Sequence, residues 1–251
     1  MFWPFFTTKQ RWRQLAQQRQ QASAALDLTP AVVAAQLADN DIAAAKQAFQ
    51  TALNTPLPEP ASPLSSLKLL AIDLETTGLK PQRDEIISIG WVPLEAGRIY
   101  IAGSSHHIIL PQSGVGQSAV IHGIRDCDRH DGIPLAQGLQ HLFTALEGRW
   151  PVFHHGGLDL GFLNQACRQL WQQDWPTLYF DTLQWQRRRF LQRHKPIKNN
   201  SLQLANVLRH HQLPQRQAHN ALDDAQSCAE VMLALCKKSQ AVVDQVAQIH
   251  P

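Results

Sequence analysis

Residues 67–74 form a largely apolar stretch followed directly by Glu75, and this stretch constrains the fold more than any other part of the sequence. Its length and composition predict a buried β-strand. Residues 85–92 and 98–102 predict further strands, and 108–110 continues or pairs with them, which together indicates an antiparallel meander.

Strands and helices alternate after this meander. Short apolar runs predict strands at 150–154 and 177–180. Apolar residues at helical spacing predict helices at 133–147, 158–172, 181–192, 201–211 and 221–237. Three strands followed by this alternation indicate an α/β fold, in which helices flank a mixed sheet.

A proline-rich stretch, residues 54–66 (NTPLPEPASPLSS), separates two regions of different composition. Its four prolines predict an extended linker. Before it, residues 1–53 predict a helical N-terminal extension, with Thr29-Pro30 as one helix start. After it we expect the α/β domain over 67–240 and a C-terminal tail over 241–251.

Two interpretations of the N-terminal extension stay open. Its first residues combine aromatic side chains with basic ones, a mixture that suits a partner's groove or a membrane surface. These residues are Phe2, Trp3, Phe5, Phe6, Lys9, Arg11, Trp12 and Arg13. Alternatively, the helices fold back and cover apolar surface of the α/β domain, because they carry few large apolar residues of their own.

Length and composition exclude several classes of protein. The chain has 251 residues and is 44% hydrophobic, which allows one or two domains with a real core. It contains no run of 18 apolar residues that would span a membrane, and the apolar residues 1–6 are too few for a signal peptide. Its four cysteines lack metal-binding spacing, so we expect free thiols in the cytoplasm.

Two acids stand at the end of the first predicted strand. Asp73 and Glu75 are two positions apart, so their side chains point to the same face. Adjacent carboxylates at the end of a buried strand repel each other and usually need a cation or a shared proton. Mg²⁺ prefers such oxygen ligands. The alternative is a solvated strand end with two unrelated acids.

Two predicted helices also carry an acid on an otherwise apolar face. Asp159 heads a stripe at helical spacing (Phe162, Leu163, Ala166, Leu170), and Asp224 heads another (Cys228, Val231, Leu235). Asn220 is the expected N-cap of the second helix, and His219 precedes it on a loop. Taken singly, Asp159 can serve the helix dipole, and His219 can be an ordinary surface histidine.

Taken together, these acids indicate a metal site. Asp73, Glu75, Asp159 and Asp224 all occupy predicted inward faces. Buried carboxylates without partners are too costly to keep. We therefore expect the strand with Asp73 and Glu75 to be central, and all four acids to converge on one cavity that binds a divalent cation.

The order of these residues resembles that of the DEDDh group of 3′–5′ exonucleases, of the type found as the proofreading (epsilon) subunit of bacterial DNA polymerase III. The resemblance rests on DLETTG (73–78), Asp159, and His219 with Asp224, and it covers about 67–238. It also includes 83–90 (RDEIISIG), 121–124 (IHGI), Asp181-Thr182 and 202–208. It implies a ribonuclease H-like fold and hydrolysis of single strands from the 3′ end.

The resemblance also implies roles for individual residues. Asp73, Glu75 and Asp224 would hold the first of two divalent metals, Mg²⁺ or Mn²⁺, and the second would lie between Asp73 and the scissile phosphate. Asp159 would act through water, and His219 would be the general base, because histidine titrates near neutral pH. The implied substrate-binding residues are Thr76, Thr77, Gly78, Leu158 and His122.

Two departures from the family pattern concern the terminal-nucleotide pocket. His155 stands where Asn is common, and Leu158 stands where Phe is common. The main expectation is an exonuclease that releases nucleoside 5′-monophosphates from DNA. An RNA-trimming enzyme of the same fold and a catalytically silent nucleic-acid-binding scaffold are the alternatives.

A run of basic residues follows the strand that ends at Asp181. It comprises Arg187, Arg188, Arg189, Arg193, Lys195 and Lys198. Such a run can follow backbone phosphates of a nucleic acid, or it can be a solvated helix face. The formal net charge of +3 permits an anionic partner without requiring one.

Overall fold

The structure is a computed structural model that describes residues 7–28, 39–110, 132–216, 219–237 and 239–251. The predicted helix start at Thr29-Pro30 lies outside the described residues, as do Cys127 and the aromatic residues 2–6. Among the described residues, no helix has the length and apolar character needed to cross a bilayer.

Seven described strands form one mixed sheet in the order β3-β2-β1-β5-β6-β7, with β4 paired to β2 beside β3. The strands are β1 (Leu69–Thr76), β2 (Ile86–Glu95), β3 (Arg98–Ile99), β4 (Ser105–Ile108), β5 (Trp150–Phe153), β6 (Thr177–Asp181) and β7 (Ala247–His250). β1 is central, antiparallel to β2 and parallel to β5. Because β5 and β6 are also parallel, the carboxyl ends of β1, β5 and β6 share one edge.

Helices cover both faces of this sheet. They are α1 (Thr8–Leu28), α2 (Asp39–Asn54), α3 (Leu135–Ala145), α4 (Gly156–Trp171), α5 (Thr182–Gln192), α6 (Leu204–His211), α7 (Ala221–Lys237) and the short α8 (Val243–Val246). The expected helices after residue 132 are all present, with bounds within three residues of the predicted ones. The expected α/β fold with a mixed, helix-covered sheet is confirmed.

Alternation along β1 divides the core into two layers. Leu70 and Ile72 pack with α2, α3 and α4 on one face. Leu69 and Ala71 pack with α6 and α7 on the other. By the same alternation, Asp73 and Glu75 belong to the face that α7 covers.

The N-terminal helices lie against the α/β domain. The Phe49 ring of α2 stacks on Trp171 of α4, with 4.7 Å between centroids and an interplanar angle of 14°. It also contacts Phe143 of α3 at 4.9 Å. Of the two interpretations of this extension, the structure therefore corresponds to helices that fold back over the domain.

The predicted linker 54–66 and the predicted C-terminal tail 241–251 both contact other parts of the chain. The indole Nε1 of Trp12 donates to the carbonyl of Pro58 at 2.9 Å, which holds the proline-rich stretch against α1. The amide of Leu64 donates to the carbonyl of Ala241 at 3.0 Å. β7 pairs with β6 from Thr177↔His250 to Phe180↔Ala247, so the last residues satisfy an otherwise open sheet edge.

Candidate active site

β1 delivers two acids to the carboxyl edge of the sheet. Asp73 lies opposite Gly90 of β2 in the antiparallel register, and Glu75 lies opposite Ser88. The pairing becomes irregular between Glu75 and Thr76, where the strand ends. Both carboxylates therefore stand at the point where the chain leaves the sheet.

Gly90 allows α7 to approach these acids. A Cβ at Gly90 would overlap the backbone of Ala221 and Leu222, the first two residues of α7. A glycine in a buried strand often marks such a close approach of another backbone. The absent side chain opposite Asp73 thus makes room for the helix that carries Asp224.

The start of α7 is fixed by its cap. The side chain of Asn220 accepts hydrogen bonds from the amides of Leu222 and Asp223 at 3.0 and 3.2 Å. This geometry confirms the predicted N-cap and satisfies amides that the helix leaves unpaired. Asp224 then lies in the first turn, directed to the sheet.

Three of the expected acids meet at one point. Carboxylate oxygens of Asp73, Glu75 and Asp224 all lie within 4.8 Å of one another, and this is the group of potential metal ligands found among the described residues. Burial raises the pKa of Asp73 well above its usual range, and the charges of Asp159, Asp224 and Glu75 raise it further. These acids oppose one another's ionisation in a desolvated site.

The other acids experience the same environment. Burial raises the pKa of Glu75 to about 7, and the charge of Asp224 adds to the effect. Burial also raises the pKa of Asp224, whereas a hydrogen bond from the amide of His219 lowers it. That amide donates to Asp224 Oδ2 at 3.0 Å.

Asp159 approaches from α4, which starts directly after β5. Burial raises the pKa of Asp159 to about 7, and backbone hydrogen bonds from its own amide and that of Leu74 partly counter this rise. Asp159 therefore lies near the amide of Leu74 in β1. The four acids expected to converge therefore do lie together at this edge, and Asp73, Glu75, Asp159 and Asp224 are called the acid site below.

His219 is exposed on the loop ahead of α7, where it was expected. Its φ of +68° places it in the left-handed region, which is uncommon for a residue with a side chain. Its charge lowers the pKa of both Glu75 and Asp224. The imidazole is thus electrostatically coupled to two members of the acid site.

The turn after β1 is held in a defined shape. Thr76 Oγ1 donates to the carbonyl of Gly78 at 2.6 Å, and Thr77 Oγ1 accepts from the amide of Glu85 at 2.8 Å. A Cβ at Gly78 would meet the carboxylate of Asp84, which accepts from the amide of Lys80 at 2.7 Å, so a larger residue here would displace that carboxylate. The turn therefore stands ordered beside the acids.

Leu158 and His122 are the two remaining residues that were expected to bind substrate. Leu158 is partly buried against the core in the first turn of α4. His122 lies outside the described residues.

Asp181 organises the edge of the sheet, a role that sequence analysis missed. Its carboxylate accepts from the amide of Gln184 at 3.1 Å, which caps α5. It also accepts from the amide of Gly156 at 3.1 Å, at the start of α4. One buried carboxylate thus joins two helices at the site; the available signal was an acid at the end of a predicted strand.

A buried histidine ties another loop to this edge. The ring nitrogens of His154 lie 2.8 Å from Thr182 Oγ1 and 2.8 Å from the carbonyl of Leu202. Burial lowers the pKa of His154. The carbonyl of Leu202 can only accept, so Nε2 donates to it. The loop before α6 is thereby anchored beside α4.

The fold and the acid site together indicate a nuclease of the exonuclease class, which the order of the acids along the sequence had suggested. Residues 70–232 match the model of the Exonuclease family, and the chain belongs to that family. A PolC-type DNA polymerase III from Thermotoga petrophila is 31% identical over 173 residues, which are 68% of this chain and 12% of that protein. The chain therefore spans about an eighth of that relative.

Two further comparisons cover most of the proteins they match. The epsilon subunit of DNA polymerase III from Escherichia coli is 30% identical over 177 residues, 66% of this chain and 70% of that subunit. The nuclease domain of 3′hExo, a DEDDh family member bound to rAMP, superposes with a TM-score of 0.61 at 14% identity. That likeness covers 76% of this chain and 99% of the domain, and it confirms the ribonuclease H-like fold.

Proposed function

We propose that this protein is a metal-dependent 3′–5′ exonuclease that releases nucleoside 5′-monophosphates from the 3′ ends of single-stranded DNA. The observation that carries the proposal is the convergence of Asp73, Glu75 and Asp224 within 4.8 Å in a desolvated site. Membership of the Exonuclease family supports the reaction class.

The acid site fits a hard divalent cation. Its donors are all carboxylate oxygens, which Mg²⁺ and Mn²⁺ accept readily. Asp73, Glu75 and Asp224 would hold the ion or ions, with Asp159 beside Asp73 completing the negative charge. A cation bound there supplies positive charge for the scissile phosphate and acidifies water.

The remaining chemistry is assigned to the chain's own residues. His219 accepts the proton of the attacking water, because its loop position leaves the ring exposed while its amide stays bound to Asp224. The ordered turn with Thr76, Thr77 and Gly78 contacts the terminal nucleotide, since it stands next to the acids. Leu158 is assigned to the same pocket.

DNA is the preferred substrate class because the relatives with the higher identities are DNA polymerase III proteins. The rAMP-bound 3′hExo domain, at 14% identity, bears on the fold alone. RNA trimming is therefore the other outcome of the test.

The direct test follows the shortening of 5′-labelled single strands of DNA and RNA in Mg²⁺, Mn²⁺ or EDTA, with the released mononucleotides identified by chromatography. We expect stepwise shortening from the 3′ end of DNA, and its loss in EDTA. Asp224→Asn should lower activity by roughly 10²-fold or more, because the ligand geometry is lost. Asp223→Asn, one position along α7, removes the same charge and should retain most activity.

His219→Ala separates a base from a ligand. A general base should affect kcat by about 10²-fold or more while Mg²⁺ affinity changes little. An equal loss of turnover and metal affinity would make His219 a ligand. Faster cleavage of RNA than of DNA would make RNA the substrate. Inactivity on both would indicate a catalytically silent nucleic-acid-binding scaffold.

A further inference from the structure

A cleft between α5 and α8 collects several arginines. Its volume is about 540 Å³, and its walls include Arg188, Arg189 and Arg193 of α5, with Gln245 of α8 opposite. None of its described lining residues is acidic. We call this feature the arginine cleft.

Neutral carbonyl groups hold two of these side chains in place. Arg188 Nη1 donates to the carbonyl of Gln245 at 2.7 Å, and Arg189 Nη1 donates to the carbonyl of Leu235 at 3.4 Å. Carbonyls orient a guanidinium without neutralising its charge. Within the described part of the chain, none of the ion pairs found includes Arg188, Arg189 or Arg193.

The arginines also act on one another. Burial lowers the pKa of Arg188, the charge of Asp181 partly opposes this, and the charge of Arg11 on α1 lowers it further. Burial lowers the pKa of Arg189, and the charge of Arg193 adds to that effect. The cleft therefore concentrates positive charge where solvation is reduced, which favours the binding of an anion.

The arginine cleft lies on the sheet face that α7 covers, because Trp185 of its wall shares a core layer with the residues of α7. It stands toward the far end of α7, since Arg189 donates to the carbonyl of Leu235, which is roughly 16 Å along the helix from Asp224.

α5 begins after Asp181, at the carboxyl edge that β1, β5 and β6 share. Asp181 is near both features, since its charge raises the pKa of Asp159 and that of Arg188. Strand spacing places β6 roughly 10 Å from β1, and Arg188 lies about 10 Å further along α5.

We propose that the arginine cleft binds the phosphodiester backbone of the substrate strand, several nucleotides upstream of the 3′ end held at the acid site. Guanidinium groups bind phosphate through paired, charge-assisted hydrogen bonds. Backbone phosphates are present in every sequence, so the contact suits an enzyme that processes strands without sequence preference. This inference rests on the proposed exonuclease function.

The experiment compares long and short substrates. The double variant Arg188→Gln/Arg193→Gln should raise KM for a 16-nucleotide oligo-dT by about tenfold. It should also reduce the slope of log KM against log salt by about 1.4, because each phosphate contact to a single strand contributes about 0.7. KM for a trinucleotide, which is too short to reach the cleft, should change less than about twofold. Hydrolysis of the p-nitrophenyl ester of thymidine monophosphate should be unchanged.

Arg187→Gln is the matched control. Arg187 is exposed on the same helix and is not part of the cleft wall. It removes one positive charge, half of what the double variant removes, and should leave both KM values unchanged. Because Arg188 contacts α8, the single variant Arg193→Glu repeats the test without disturbing the hydrogen bond to Gln245.

Two results would overturn the proposal. KM values and salt slopes that do not change in the cleft variants would show that the arginines serve another ligand, such as an acidic protein segment. Equal changes for the long and short substrates would show an effect on the acid site itself. If the wild-type protein cleaved none of the substrates, the exonuclease proposal would fail, and binding of labelled 16-nucleotide oligo-dT would still test the cleft separately.

Discussion

The acid site and the contact between the N-terminal helices and the sheet use burial in opposite ways. At the acid site, burial brings like charges together and raises the pKa of all four carboxyl groups. We call this contact the N-terminal joint. There, burial packs the ring of Phe49 against those of Phe143 and Trp171. It also places the guanidinium of Arg19 over the ring of Trp150. The first arrangement costs stability, and the second supplies it.

The N-terminal helices are part of the nuclease fold, because their apolar side chains pack into the same core as those of the sheet. A site of repelling carboxylates lowers the free energy of unfolding until a cation is present. The apolar contacts of α2 are formed without any ligand. Changes at the acid site should therefore alter catalysis first, and changes at the joint should alter stability first.

Gly90→Ala should break the acid site most severely. A Cβ at this position overlaps the first residues of α7, so the helix must move and carry Asp224 away from Asp73. We expect a loss in kcat/KM of roughly 10²-fold or more, because a displacement of about 1 Å at a reacting centre has that effect. Initial rates on single-stranded DNA provide the measurement.

The control for this change is Gly157→Ala. A Cβ at Gly157 has no neighbour within 4 Å, so the variant should fold with the stability of the wild type. Full activity in Gly90→Ala would show that α7 does not need this close approach.

Phe49→Ala should break the N-terminal joint. The side chain is fully buried between Phe143 and Trp171, so its removal leaves a cavity in the core. We expect the free energy of unfolding to fall by about 3–5 kcal/mol, measured by urea denaturation. The kcat of the folded protein at low temperature should stay near the wild-type value.

A surface change and a truncation complete this test. Leu191→Ala, at a side chain that is 53% exposed, should change stability by less than about 0.5 kcal/mol. A fragment beginning at Ser65 should aggregate or melt much earlier than the whole chain. A soluble, stable and fully active fragment would instead make residues 1–53 a separable adaptor.

Arg19→Met should weaken the joint by a smaller amount. The buried guanidinium of α1 donates to the carbonyls of Ala52, Leu53 and Thr55 at 2.6 to 2.9 Å, where α2 ends. It also lies over the ring of Trp150 at 4.9 Å. Methionine fills similar space without these hydrogen bonds, so we expect a loss of about 2–3 kcal/mol.

Arg168→Met is the comparison for this prediction. Arg168 forms an ion pair with Asp174 at 2.7 Å, but its side chain is 54% exposed. Exposed pairs contribute little, so the same change there should cost less than about 1 kcal/mol. Equal losses in the two variants would mean that the buried hydrogen bonds of Arg19 stabilise the fold no more than an exposed ion pair does.

The acid site was more predictable from sequence than the joint. Strand alternation fixed the common face of Asp73 and Glu75, and helical spacing put Asp159 and Asp224 on inward faces. Each of these inferences needs only local periodicity. The capping role of Asp181 was not predicted, because it depends on two helices meeting at one carboxylate.

The joint depends on contacts between distant parts of the chain. The partners of Phe49 are Phe143 and Trp171, about a hundred residues away, so no local pattern reveals them. The short strand β7 was missed for a related reason. Its four residues alternate apolar and polar, but so short a run does not predict a strand by itself, and pairing with the open edge of β6 gives them a strand conformation.

The last prediction concerns pH and metal at the acid site. Burial raises the pKa of Glu75 and of Asp159 to about 7 in the folded chain, whereas unfolded carboxyl groups titrate near 4. The stabilising effect of these protons is full below about pH 4 and is lost as the pH rises through about 7. The metal-free protein should therefore melt at a lower temperature at pH 8 than at pH 5.

Mg²⁺ should offset that loss at pH 8, because it binds the ionised carboxylates of the folded state alone. At about 100 times its Kd it adds roughly 2.7 kcal/mol, which corresponds to a rise in Tm of about 5–10 °C. At pH 5, protons compete for the same oxygens and the rise should be smaller. Thermal melts in EDTA and in Mg²⁺ at both pH values measure the effect, with Asp73→Asn as the variant that should lose it. An equal rise at pH 5 and pH 8, or one retained in Asp73→Asn, would place the Mg²⁺ effect outside the acid site.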